Sequence, residues 1–122
     1  MAATREMIRH GVSLRFFMHA NARHDGKLLH EWLLEQARHE GLAGGSVFRA
    51  IAGFGRHGVL HEESFFELAG DLPLNVEFIL GEEDAGRLLA IVRDSGAELV
   101  YARTAIEYGV LRKDPAGGGG TR

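Results

Sequence analysis

At 122 residues with 45% apolar content, the chain is the size of a single domain and carries enough apolar side chains for one core. Fourteen Lys and Arg against seventeen Asp and Glu give a formal charge of −3, which excludes a broad electrostatic footprint for DNA or RNA. The absence of cysteine excludes disulfides, thiolate catalysis and any zinc site built on sulfur, and it fits a reducing compartment, with the cytoplasm as the expected location.

Arg5, Glu6, Arg9 and His10 have no apolar run behind them, so the start of the chain does not read as a signal peptide. No segment approaches the ~20 apolar residues of a membrane span, so direct membrane insertion is not expected. Residues 1–11 are expected to be a flexible tail, 12–111 one domain, and 112–122 a disordered tail containing Pro115 and the run Gly117 to Gly120.

From Val12 to His19, Val12, Leu14, Phe16 and Met18 alternate with Ser13, Arg15 and His19, the pattern of a strand with one buried face. Lys27 to Glu40 then places Leu29, Leu33, Gln36 and Ala37 on one helical stripe, with Asp25 as candidate N-cap and Gly41 just past the end. Ser46 to Ala52, with Val47, Phe48 and Ile51, reads as a second strand after the Gly44-Gly45 turn. Leu74, Val76, Phe78 and Leu80 mark a third strand by the same alternation.

Glu82, Glu83 and Asp84 supply the negative charge favoured at a helix start, and Ala85, Leu88, Leu89 and Val92 continue at helical spacing to a stop near Gly96. Glu98 to Val110 alternates again and forms the last strand. The order βαββαβ predicts an α+β ferredoxin-like sandwich, a four-stranded antiparallel sheet with both helices on one face. The helix-covered face is expected to take Leu14, Phe16, Val76, Phe78, Ala102 and Ile106, and the opposite face Arg15, Phe17, Ile79, Leu99, Tyr101 and Arg103. That mixture of apolar groups and arginine resembles an interface covered by other subunits, with a partly apolar exposed sheet as the alternative.

Gly53-Phe54-Gly55-Arg56-His57-Gly58 matches the literal G-x-G-x-x-G string, but it follows the second of four strands in a chain too short for a doubly wound sheet, which rules out a dinucleotide-binding Rossmann domain. The local chemistry still suits an anion: glycines permit close backbone approach, and Arg56 and His57 add donors for phosphate or carboxylate. A glycine-rich turn without ligand is the alternative. His57 and His61 stand four apart, a metal-ligand spacing if a helix aligns them, although a solvated pair is the commoner outcome. The chain contains no Gly-x-Ser-x-Gly elbow, no His-Glu-x-x-His helix and no complete Walker loop, so it is not expected to be an enzyme.

Three segments resemble the PII-like family known as domain of unknown function 190: Asp25 to Leu29, Gly41 to Gly55, and Asp71 to Phe78. The middle one is the most specific, a Gly-Leu-Ala-Gly turn followed by a strand that ends in Gly-Phe-Gly. The resemblance spans Val12 to Leu111 and implies a homotrimer related to PII signalling and CutA-like proteins, with sheets facing the threefold axis and ligand clefts between subunits. It also implies a signalling role in which a small anionic metabolite, an adenine nucleotide being the first candidate, acts on the loop from Phe54 to Gly70 and through it on a regulated partner protein. Gly53, Phe54, Gly55, Arg56, His57 and His61 are the ligand-site candidates. CutA-like metal binding through His57 and His61, or a ligand-free adaptor, are the competing readings. The chain lacks the Thr-Gly-x-x-Gly-Asp-Gly-Lys signature by which PII proteins hold ATP, and it has no tyrosine between Phe54 and Gly70 for uridylylation.

Overall fold

The computed structural model describes residues 3–53 and 72–113. Strand β1 (Thr4–His19) leads into a small hairpin of β2 (Arg23–His24) and β3 (Lys27–Leu28), followed by helix α1 (Leu29–His39). Then come β4 (Ser46–Arg49), β5 (Pro73–Leu80), helix α2 (Glu82–Ser95) and β6 (Val100–Lys113). The main sheet is antiparallel in the order β4-β5-β1-β6, which places the first and third of its strands in the centre, as the ferredoxin-like prediction requires.

The core lies between one face of this sheet and the two helices. Val12, Leu14, Phe16 and Met18 from β1 and Leu74, Val76, Phe78 and Leu80 from β5 are buried there with Leu29, Trp32, Leu33 and Ala37 of α1 and Ala85, Leu88 and Val92 of α2. Cross-strand register sets Leu14 opposite Phe78 and Phe16 opposite Val76, and the Phe16 and Phe78 rings meet edge to face at 6.1 Å. Arg87 of α2 reaches Glu40 at the end of α1, at 3.4 Å, and is held by Asp84 one turn earlier on its own helix, at 2.8 Å.

Helix ends follow local chemistry. Gly41, at φ 77°, closes α1 in a Schellman arrangement: its N–H donates to the Arg38 carbonyl, and the Leu42 N–H donates to the Ala37 carbonyl. Gly96, at φ 82°, closes α2 as predicted. Asp25 is not the α1 cap. Asp25 (φ 52°) and Gly26 (φ 77°) are the two turn residues of the β2-β3 hairpin, so Lys27 and Leu28 are strand and the helix starts at Leu29. Two successive positive φ values are what a type I′ hairpin turn demands, and Asp-Gly supplies them.

Four further differences from the sequence reading concern the strands. Residues 4–11, expected as a tail, form the first half of β1, and β6 runs on to Lys113, so both strands pass the predicted domain limits. The second strand stops at Arg49, where the Ala50 N–H turns to donate to the Pro73 carbonyl at 2.9 Å. In β6 the two faces are exchanged: Tyr101 pairs with Phe16 and Arg103 with Leu14, on the helix side, while Ala102 pairs with Arg15 on the open side. Tyr101 contacts the Phe16 ring, Arg103 binds Glu82 of α2, and Leu99 packs on the core. Ile106 pairs with Gly11 and lies with Ala102 on the open face. Residues 114–122 lie outside the described residues, and among those described no helix is long and apolar enough to cross a membrane.

Candidate functional site

The segment singled out as the ligand loop is rooted at one end of the sheet. Edge strand β4 delivers the chain to Ala50, pinned on Pro73, and the far root is held where the Ala20 N–H donates to the Leu72 carbonyl at 3.1 Å. Gly53, the first predicted site residue, sits at this root with φ 156°. A Cβ there would meet only Pro73 Cγ, at 3.8 Å, so the backbone angle and not crowding calls for glycine. Beside it Ile51 is 95% exposed. Phe54, Gly55, Arg56, His57 and His61 lie outside the described residues. Among the described residues no group of three or more histidines and carboxylates could hold a metal ion.

The face of the sheet away from the helices adjoins this root. It carries Ser13, Arg15 and Phe17 of β1, Asn75, Glu77 and Ile79 of β5, Phe48 of β4 and Ala102 of β6, all on one side by register. Ser13 donates its hydroxyl to Glu77 at 3.0 Å, and the Arg15 guanidinium lies 5.9 Å from the Phe17 ring centroid. Arg15 Nε and Asn75 Oδ1 are buried and have no hydrogen-bond partner among the described residues. Each unsatisfied buried group of this kind costs about 1–3 kcal/mol, and Phe48, Ile79 and Phe17 are exposed around them. Such a face is suited to meeting polar and apolar groups from outside the chain. The grouping of Asn75 and Glu77 with Arg15 follows from register.

A concavity of about 270 Å³ lies between α1 and the β4 side of the sheet, lined by Leu34, Ala37, Arg38, Leu42 and Phe78. Gly45 approaches the Phe78 ring here so closely that a Cβ would stand 2.4 Å from Cε1. This is a second role for a glycine that the sequence marked only as a turn.

A long connection rooted between the second and third strands of a four-stranded ferredoxin-like sheet is the architecture of PII-like proteins. CPII, a nitrogen regulatory PII-like protein from Thiomonas intermedia K12, has this fold. Its structure with ADP and bicarbonate matches at TM-score 0.59 and 16% identity, over 84% of this chain and 91% of that one. Its structure with ADP, AMP and bicarbonate matches at TM-score 0.58 and 14% identity, over 84% and 96%. In sequence, a UPF0166 protein of Aquifex aeolicus (strain VF5) is 39% identical over 80 residues, 66% of this chain and 76% of its own length. The family DUF190, described as "Uncharacterized ACR, COG1993", matches residues 11–107. The chain belongs to this DUF190 family, and its fold is PII-like.

Proposed function

We propose that this protein is a PII-like regulator that assembles as a homotrimer, binds an adenine nucleotide in clefts between copies beside the loop root, and signals its ligand state to a partner protein. The observation that carries this reading is the unsatisfied open face next to the loop root, in a fold shared with a protein whose structures hold ADP and AMP. Cover by neighbouring copies would give Arg15 and Asn75 partners and would wall a cleft at Gly53. The bound anion then acts through the loop from Phe54 to Gly70 on the partner protein, a ligand-driven switch of the kind common in regulators. The protein acts by binding, not by chemistry, and does so in the cytoplasm, in keeping with a chain free of cysteine.

Titration calorimetry with ATP, ADP, AMP and cyclic nucleotides, with and without bicarbonate, tests the reading. Saturable heat with at least one adenine nucleotide is expected. No heat with any of them at millimolar concentration overturns it.

A further inference from the structure

Strand β5 ends at Leu80, opposite Val12, but β1 and β6 stay paired from His10↔Glu107 out to Thr4↔Lys113. These seven pairs form a two-stranded ribbon beyond the sheet, and none of its residues is buried. A ribbon of two strands is marginal in water by itself, and among the described residues no strand pairs with the β5-side edge of residues 4–10.

Its two faces differ in chemistry. One carries Glu6 and Glu107 beside Ile8 and Leu111, which are 56% and 67% exposed, with His10 lying 3.8 Å from Glu107 and Lys113 at the tip. The other carries Arg5, Arg9 and Arg112 around Met7, Tyr108 and Val110, with no carboxylate. Arg5 stands directly opposite Arg112. Like charges in that position destabilise a strand pair unless something brings counter-charge.

We infer that this ribbon is an arm that grips a second copy of the chain, the arginine face of one copy lying on the Glu6, Ile8, Leu111 and Glu107 face of the next. Each copy brings both halves of the contact, and a head-to-tail contact of this kind, repeated about a rotation axis, closes into a ring. The arginine face also continues into the open sheet face through Gly11 and Ser13, so arm and sheet would be covered by the same neighbour. The inference rests on the self-assembly in the proposed function and names the surface that makes it.

The test is sedimentation velocity at low micromolar protein on four full-length chains: wild type, Arg5→Glu/Arg112→Glu, Glu6→Arg/Glu107→Arg, and the quadruple exchange. The wild type should sediment as an oligomer, each double variant should lose it, and the quadruple variant, with complementarity restored in reverse, should regain it. Recovery in the quadruple variant separates a broken contact from a broken fold. Double variants that keep the wild-type mass, or a quadruple variant that stays dissociated, overturn the arm. A wild type of one chain's mass overturns both the arm and the trimer. Titrating ADP into the same samples separately decides nucleotide binding.

Discussion

Replacing Gly45 by alanine tests how the start of β4, and with it the loop root, is seated. The added Cβ would stand 2.4 Å from Phe78 Cε1, 2.7 Å from Cδ1 and 3.1 Å from Cζ, closer than packed carbons tolerate. Phe78 is 1% exposed and packed on Phe16, so its ring cannot swing aside, and β4 has to move instead. Overpacking of this sort costs about 1–3 kcal/mol. Alanine returns about 0.4–1 kcal/mol by narrowing the unfolded ensemble, so the net loss should be about 1–2 kcal/mol. In urea, with a slope of about 1–3 kcal/mol per molar, the midpoint should fall by roughly 1 M at fixed protein concentration. In a Phe78→Leu background the offending ring atoms are gone, so the same substitution should cost almost nothing, a coupling of about 1–2 kcal/mol. An unchanged midpoint for Gly45→Ala, or equal losses in both backgrounds, would refute the reasoning.

Gly53→Ala should destabilise by about 1–2 kcal/mol through its φ of 156° and should weaken ADP binding by calorimetry, whereas Gly26→Ala should show only a stability loss of similar size. Arg103→Ala breaks its pair with Glu82, but both groups are solvent-exposed, so denaturation should show less than about 1 kcal/mol lost, and less still in high salt. Ile79→Asp places a charge on the open face at a residue already 47% exposed. It should leave the far-ultraviolet spectrum intact while lowering the mass seen by light scattering, and an unchanged mass would argue against a covered sheet.

Sequence alone determined the two helices, the four strands of the main sheet and their order. The buried alternation of Val12 to Met18 and of Leu74 to Leu80, and the helical stripes ended by Gly41 and Gly96, have strong periodic signals because each segment has one face in the core. The family resemblance carried by the Gly41 to Gly55 stretch was also legible in the sequence.

Which face of β6 meets the helices was not legible. Neither phase of that edge strand is fully buried, so period two offered two equal choices, and only pairing with β1 put Tyr101 and Arg103 on the helix side. The hairpin at Asp25-Gly26 was hidden for a related reason: the same residues serve as a helix start or as a turn, and backbone pairing between Arg23 and Leu28 decides between them. The ribbon past Gly11 and the grouping of Arg15, Asn75 and Glu77 are likewise products of register. They depend on residues far apart in the chain being held side by side, which no local pattern encodes.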